Sequence, residues 1–205
     1  MQVYIVYAHP SRESFTWQVL QSFIRGLEAG GHEYEIGDLY EMGFQADMDL
    51  EQYDRETGMD PDAPVPDDVR MEQDKIDRAD ALALIFPVWW SDCPAKLKGW
   101  FDRVLTYGYA YTYDDVDDDG DDEGMHKASK IDLQKALVIS PAGHPVEHLE
   151  GTGVAGSMRR IIIGDRLLGV GVREAELEIL GGMVLGDERI RERNLERAFE
   201  LGKNL

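Results

Sequence analysis

Residues 80–113 read DALALIFPVWWSDCPAKLKGWFDRVLTYGYAYTY and decide the fold that the sequence predicts. The segment starts with a continuous apolar run, residues 81–86, which is typical of a short strand buried on both faces of a sheet. Pro87 ends that strand, because proline cannot donate to a sheet ladder and restricts the residue before it. After Pro94, apolar residues recur at helical spacing. The segment therefore predicts a strand, a loop and a helix.

The predicted loop carries two adjacent tryptophans. Val88, Trp89 and Trp90 follow the end of the strand directly. In open parallel α/β sheets, ligands bind outside the carboxyl ends of the strands. An aromatic loop at that place predicts a site for a flat ligand.

A second apolar run, residues 2–8, predicts a central strand that leads through the loop HPSRESFT into a helix. The first amides of a helix are unpaired, so a strand, a short polar loop and a helix N-terminus together form a natural anion site. His9, Ser14 and Thr16 are candidate side-chain donors there. Ser14 is also the candidate N-cap, and a capping role alone explains it equally well.

The rest of the chain alternates strands and helices in the order that a five-stranded parallel sheet with helices on both faces requires. Residues 39–66 show no regular pattern, which is typical of a functional or partner-facing loop. A helix at residues 67–78 is expected to be capped by Asp67 or Asp68. We expect one domain, residues 1–205, with four further elements: strand 32–38, strand 135–140, edge strand 172–180 and terminal helix 187–201. A weaker helical pattern covers residues 154–168.

The amino-acid composition restricts the kinds of partner and site that are expected. Lys and Arg number 21 against 41 Asp and Glu, and the net charge of -20 argues against a nucleic-acid partner. Because an acidic surface with few lysines stays soluble at high salt, we hypothesise a halophilic source. Cys93 is the single cysteine, so neither an internal disulfide nor a cysteine zinc site is expected. With no long apolar run and no signal-peptide pattern, we expect a cytoplasmic protein that is not embedded in a membrane.

An acidic run at about residues 114–124 has two interpretations. Its alternating aspartates are similar to a calcium loop, but the glycine and the final glutamate of an EF-hand are not at the required offsets. Runs of like charge usually stay solvated. We therefore expect a solvated insertion and predict no metal site.

Four segments occur together, in order, in one known family: YIVYAHP followed by SF, EQDKIDRADALALIFPVWW, PAKLKGWFDRV and YGYAYTY. On these segments the chain resembles, over residues 2–143, the NAD(P)H:quinone oxidoreductases of the flavodoxin-like fold. That family includes bacterial modulator-of-drug-activity proteins and ancillary subunits of glutathione-gated potassium efflux systems. The resemblance implies a doubly wound α/β sheet in strand order 2-1-3-4-5 and a homodimer with the flavin at its interface.

The resemblance also implies which loops hold the flavin. The loop for the flavin phosphates and ribityl chain is matched by His9, Ser14, Phe15 and Thr16. Near the adenine-side pocket, the matching residue is Gln73. The loop along the isoalloxazine ring is matched by Pro87, Val88, Trp90 and Ser91, with Trp89 where some relatives have glutamine.

On the substrate side of the flavin, Tyr111 and Tyr113 match paired tyrosines that often cover the ring across the dimer interface. The loop that follows the predicted strand 135–140 departs from the family. Where relatives have Thr-Thr-Gly-Gly near the pyrimidine edge of the flavin, this chain has Pro141, Ala142, Gly143 and His144.

The catalytic Tyr and His of the family align with Leu149 and Ala155, and neither of these residues can transfer a proton. His144 or His148 is the candidate replacement, because histidine transfers protons near neutral pH. A surface position explains each of these histidines as well.

The resemblance implies a flavin-dependent reductase that moves a hydride from NAD(P)H to a quinone-like substrate by a ping-pong mechanism. FAD is the expected cofactor, FMN is the alternative, and NAD(P)H is the co-substrate. Three alternatives stay open. The first is a flavodoxin-type electron carrier. The second is a flavin-binding regulatory subunit of a membrane cation antiporter. The third is a domain whose aromatic residues all belong to the core.

Overall fold

The computed structural model describes residues 1–114 and 126–205. Five parallel strands form one sheet: β1 (Gln2–Tyr7), β2 (Glu33–Asp38), β3 (Ala81–Ile85), β6 (Lys135–Pro141) and β7 (Glu174–Leu180). Two more strands, β4 (Tyr111–Asp114) and β5 (His126–Ser129), form a separate antiparallel ribbon. The large sheet has the order β2-β1-β3-β6-β7, which confirms the expected strand order.

Helices cover the sheet on both faces. They are α1 (Phe15–Gly30), α2 (Leu50–Gly58), α3 (Asp67–Asp77), α4 (Ala95–Val104), α5 (Val146–Gly151), α6 (Val154–Met158), a π-helix (Arg159–Leu167) and α7 (Glu188–Lys203). Short 3₁₀ turns lie at Leu168–Val170 and Met183–Leu185. In the described part of the chain, no helix is long and apolar enough to cross a membrane.

The buried apolar side chains form two layers, one on each face of the sheet, because successive side chains of a strand point to opposite faces. Tyr4 packs in the layer that contains Trp100 of α4, whereas Val3 packs in the layer that contains Phe23 of α1. Helices α1 and α7 approach each other closely on that second face. A Cβ atom on Gly26 would lie 2.1 Å from the carbonyl oxygen of Phe199, so this contact requires glycine.

The prediction that residues 39–66 are irregular is wrong, because helix α2 lies within them. Its one buried side chain is Gln52, and therefore no apolar stripe marks it in the sequence. Gln52 exchanges two hydrogen bonds of 2.8 Å with Arg103 of α4, from its Nε2 to the Arg103 carbonyl and from Arg103 Nε to its Oε1. Arg55 Nε donates to the carbonyl of Ala63 at 3.0 Å. Polar tertiary contacts hold this helix, and a local pattern cannot reveal them.

The predicted cap of α3 is also wrong. Pro66 occupies the N-cap position, and no side chain caps the helix. The carboxylate of Asp68 instead accepts two hydrogen bonds from the buried guanidinium of Arg103, at 2.5 and 2.9 Å. Apart from Asp114, the acidic run at residues 114–124 lies outside the described residues. Within the described residues, no cluster of three or more His, Cys, Asp or Glu side chains is placed to hold a metal ion.

A fully buried carboxylate joins α3 to the sheet and to α4. Glu72 accepts hydrogen bonds from the Tyr4 hydroxyl, from Trp100 Nε1 at 2.7 Å and from Lys75 Nζ at 2.6 Å. Burial and the neighbouring Glu72 carboxylate raise the pKa of Tyr4, so the phenol stays protonated and donates. With three donors on its two oxygens, the carboxylate is compensated for its loss of water.

Replacing Glu72 by glutamine should therefore destabilise the protein by about 3–5 kcal/mol, because one amide oxygen cannot serve all three donors and Lys75 loses its countercharge. Urea unfolding measures the loss. The matched control is Glu35→Gln, which removes the exposed ion pair with Arg78 and should cost at most about 1 kcal/mol. Equal losses in the two variants would contradict the structural role of Glu72.

Candidate active site

A cavity of about 710 Å³ opens at the carboxyl-terminal edge of the sheet, between the loop after β3 and the loop after β6. Its lining residues are Val88, Trp89, Trp90, Ser91, Ala142, Gly143, His144 and Leu149. All of them except Leu149 belong to the predicted site. Behind the cavity the two loops are tied together, because the Val88 amide donates to the Pro141 carbonyl at 2.9 Å. Pro87 and Pro141 thus stand where the chain leaves the sheet.

The tryptophan wall of the cavity is a tight turn in an unfavourable conformation. Trp89 and Asp92 exchange two backbone hydrogen bonds of 2.9 and 3.1 Å around Trp90 and Ser91. Both central residues have positive φ angles, 48° and 67°. Turns of this kind favour glycine or asparagine, and a left-handed residue of another type costs of the order of 1–3 kcal/mol. The turn leaves the Trp90 side chain fully exposed.

The opposite wall presents backbone donors. The carbonyls of Ala142, Gly143 and His144 accept hydrogen bonds of 2.9–3.2 Å from the amides of residues 182–184 that follow β7. The Ala142 amide donates to the Leu180 carbonyl at 3.0 Å. Within the described residues, the amides of Gly143 and His144 have no hydrogen-bond partner. Two amide groups are therefore available to a ligand at this wall.

Two histidines stand at the same wall. The His144 ring lies 4.5 Å from the His148 ring between centroids, with the planes tilted by 32°. Both side chains are exposed, and only His144 lines the cavity. The structure thus places His144 at the cavity, with the His148 ring packed beside it.

The loop before α1 reaches the tryptophan wall through His9. The His9 ring meets Trp89 edge-on at 5.6 Å between centroids, and its Nδ1 accepts from the Ser11 amide at 3.0 Å. Ser14 caps α1, because its Oγ accepts from the Trp17 amide at 3.1 Å. The candidate anion site therefore adjoins the cavity.

Three other side chains surround this helix terminus. Thr16 is buried, and Phe15 is half-buried under the guanidinium of Arg191 at 4.9 Å. The hydroxyl of Tyr7, the last residue of β1, is buried and has no hydrogen-bond partner among the residues that the structure describes. Burial raises the pKa of Tyr7 to about 12. This buried hydroxyl lies near Ser14, in the loop that precedes α1.

The remaining predicted residues lie away from the cavity. Tyr111 and Tyr113 stand on the β4–β5 ribbon and pack with Tyr107, with ring centroids 5.6–6.1 Å apart. The base of the ribbon lies at the amino-terminal edge of the sheet: the Lys130 amide donates to the Ala110 carbonyl, and four residues later the Gln134 amide donates to the carbonyl of residue 80, just before β3. Neither tyrosine lines the cavity of its own chain.

Gln73 has a structural role instead of a place at the cavity. Its side chain is buried, and its Nε2 donates to the Val104 carbonyl at 3.0 Å and to Thr106 Oγ1 at 2.9 Å. These bonds hold the segment that connects α4 to the ribbon.

Two residues at the cavity are not among the predicted site residues. Leu149 of α5 lines it, and Val184 supports its wall, since a Cβ on Gly143 would lie 3.0 Å from Val184 Cγ1. The sequence signal for Val184 is the pair Gly181 and Gly182, which turns the chain back toward the cavity after β7. Gly182 has a φ of 90°, a conformation that favours glycine.

Comparison with known proteins identifies the family. A family described as having a flavodoxin-like fold matches residues 1–199. An NAD(P)H:quinone oxidoreductase from Methanothermobacter marburgensis, of known structure, is 54% identical, with a TM-score of 0.90 over 100% of this chain and 95% of that one. The chain belongs to the flavodoxin-like NAD(P)H:quinone oxidoreductase family. The resemblance inferred from residues 2–143 is thereby confirmed.

Two curated relatives agree with this membership. An uncharacterized NAD(P)H oxidoreductase of Haemophilus influenzae is 30% identical over 96% of this chain and 91% of its own length. NAD(P)H dehydrogenase [quinone] 1 of Cavia porcellus is 34% identical over 77% of this chain. The match spans 59% of the Cavia protein's length.

The contact between His9 and Trp89 gives a titration prediction. Burial lowers the pKa of His9 below its usual 6.5, so the neutral ring favours the folded state. The contribution of His9 to the stability of the folded protein is therefore lost as the pH falls below 6.5. Trp89→Ala should move the His9 midpoint up toward 6.5 in an NMR titration, because it removes part of that burial. Trp90→Ala is the control, since Trp90 points into solvent. An equal rise in both variants would contradict the contact.

Proposed function

We propose that this oxidoreductase is a flavin-dependent NAD(P)H:quinone reductase that uses FAD, with FMN as the alternative, and works as a homodimer. One observation carries the proposal. A cavity at the carboxyl ends of β3 and β6 has an aromatic wall at Trp89 and Trp90 and two unpartnered amides at Gly143 and His144. The names of the relatives supply the reaction class.

The residues present fit a flavin in three respects. The cavity of about 710 Å³ lies within the range of cofactor sites, roughly 300–1,000 Å³, and one wall is aromatic. The amides of Gly143 and His144 suit the pyrimidine edge of the ring system, where negative charge develops on reduction. The α1 N-terminus suits phosphate, and the buried Tyr7 hydroxyl beside it lacks a partner among the described residues.

A flavin held in this cavity would supply the chemistry of hydride transfer between NAD(P)H and a quinone. The chain's own residues bind the ligands and orient them. The turn of Trp89 and Trp90 provides a flat apolar surface that would hold the flavin ring system, and nicotinamide and quinone would then use one slot in turn. The two free amides stabilise negative charge at the opposite wall without reorganisation. The Thr hydroxyls of the relatives' loop are absent here, so backbone donors take a larger share of this task.

His144 is the proposed proton donor to the quinone oxygen. It lines the cavity, whereas Leu149 and Ala155 occupy the positions of the family's proton-transferring residues and carry no acidic proton. The His148 ring packs against it, with 4.5 Å between the ring centroids, and both rings are exposed to solvent protons.

The homodimer is proposed because one chain leaves the cavity open. Tyr111 and Tyr113 stand on a ribbon whose base is at the amino-terminal edge of the sheet, about 20 Å along β6 from its carboxyl end at 3.3 Å per residue. Trp90 is fully exposed, and Val184 is exposed beside the cavity wall. A second copy that lays its tyrosines over this apolar mouth would close the slot.

The flavin is tested by purification. The protein should carry a yellow cofactor that is released by denaturation and identified by mass as FAD or FMN, and the same preparation should oxidise NADH or NADPH with a quinone as acceptor. A colourless protein that takes up neither flavin when it is added would remove the proposal.

Removal of the tyrosines should separate binding from turnover. The double variant Tyr111→Ala/Tyr113→Ala should retain its flavin, while its kcat/KM for the quinone falls about tenfold, equivalent to about 1.4 kcal/mol of lost binding in the transition state. Unchanged quinone kinetics would contradict the slot.

A hybrid dimer tests whether the tyrosines act across the interface. The first chain carries Tyr111→Ala/Tyr113→Ala, and the second carries Gly143→Asp, which places a carboxylate at the donor wall. Two different affinity tags isolate the hybrid after co-expression. One of its two sites then combines an intact cavity with intact tyrosines, so its activity should reach about half that of the wild type.

Tyrosines that act within their own chain would leave the hybrid no more active than its parents. Gly156→Asp is the control for the introduced charge, because Gly156 lies outside the cavity with open space around it. A hybrid that contains Gly156→Asp in place of Gly143→Asp should also be active.

A further inference from the structure

The turn at Trp89 to Asp92 needs an explanation, because its two central residues are not the glycine or asparagine that such a turn favours. A strained conformation persists only where the surrounding structure determines it. The two backbone hydrogen bonds between Trp89 and Asp92 close the turn. Contacts from other elements hold it in place, and one of them is the edge-on packing of Trp89 against His9.

Arg166 of the π-helix supplies such a contact. Its Nη1 lies 3.6 Å from Asp92 Oδ1 and 3.7 Å from Cys93 Sγ. Its guanidinium lies over the Phe101 ring, 5.1 Å from the centroid, and only 13% of its side chain is exposed. The arginine is therefore sandwiched between α4 and the end of the turn.

Asp92 transmits this contact to the tryptophan wall. The same Oδ1 atom that faces Arg166 accepts a hydrogen bond from the Cys93 amide at 2.7 Å. The backbone of Asp92 holds Trp89 from both its amide and its carbonyl. Burial raises the pKa of Cys93 to about 12, so the thiol is neutral and Asp92 is the charged partner of Arg166 here. Arg166 thus contacts the end of the turn both through its charge, at Asp92, and through packing, at Cys93.

The π-helix itself is fixed by packing. Ile162, Ile163 and Leu167 are buried in the same apolar layer as Phe101. With these three side chains buried, the π-helix packs on this apolar layer and its Arg166 lies at the turn. Helical segments in π geometry occur frequently at functional sites, which agrees with this arrangement.

We infer that Arg166 is a positioning residue that holds the Trp89–Asp92 turn, and with it the aromatic wall of the cavity, in its left-handed form. Its consequence for catalysis rests on the proposed function, because the wall matters to the reaction only if a flat cofactor binds there. The conformational effect itself is independent of any cofactor. The two parts can therefore be tested separately.

The first test uses 5-fluorotryptophan and ¹⁹F NMR on the 205-residue chain freed of cofactor. The signals of Trp89 and Trp90 are assigned with Trp89→Phe and Trp90→Phe. In the wild type, the Trp89 signal is distinct because its ring packs against His9. Arg166→Met keeps the packing over Phe101 and removes the charge, and it should move the Trp89 signal toward that of the exposed Trp90. Arg166→Lys should restore most of the difference.

Ser91→Gly provides a second-site rescue. Glycine adopts the φ of 67° at position 91 without strain, so a turn with glycine needs less support. The double variant Arg166→Met/Ser91→Gly should regain the wild-type Trp89 signal. Arg160→Met is the matched control: it removes an exposed arginine from the same helix and should leave the signal unchanged.

The inference is wrong if Arg166→Met leaves the Trp89 signal unchanged, if Ser91→Gly fails to restore it, or if Arg160→Met alters it equally. The second test measures flavin binding by fluorescence titration. Arg166→Met should raise the flavin Kd about tenfold, and Ser91→Gly should reverse most of that rise. A chain that binds no flavin would overturn the proposed function and leave the NMR result valid, whereas unchanged flavin affinity in Arg166→Met would overturn the catalytic consequence.

Discussion

The parallel pairing of β1, β3 and β6 is the constraint on which the rest of the structure depends. Because the three strands run in one direction in adjacent positions, their carboxyl ends meet at one edge, and the loops after Ala8, Phe86 and Pro141 become neighbours there. The apolar side chains of these strands are buried on both faces, so functional groups are excluded from the sheet and collect in the loops. The cavity is a consequence of this topology.

Polar groups serve two different purposes in this protein. Glu72 and Arg103 are buried and fully paired, and they fix α2, α3 and α4 against the sheet. At the cavity the opposite holds, since the amides of Gly143 and His144 have no partner within the described residues and the Trp90–Ser91 turn is strained. The rigid networks stabilise a scaffold on which unpaired donors and a strained turn can persist.

The two ends of the sheet have complementary features. The cavity at the carboxyl edge has an exposed apolar mouth, and the ribbon at the amino edge carries the clustered rings of Tyr107, Tyr111 and Tyr113. Within one chain these features do not meet, which is the physical basis for proposing that two copies complete each other's site. Arg166 adds a third element, since it links the π-helix to the wall on which the slot depends.

Local patterns in the sequence were enough to predict the two central apolar strands and the aromatic loop, because continuous apolar runs and proline positions are local signals, whereas the strand order was implied by the family resemblance. The resemblance placed Val88 to Ser91 and Ala142 to His144 at one site, and the convergence of loops after adjacent parallel strands agrees with it. The three-dimensional structure was needed to show that α2 is a helix, that the Gln73 side chain bonds to the segment after α4, and that Arg166 contacts the tryptophan turn. Those features depend on hydrogen bonds and ion pairs between residues 31 to 74 positions apart, whose partners no local pattern specifies.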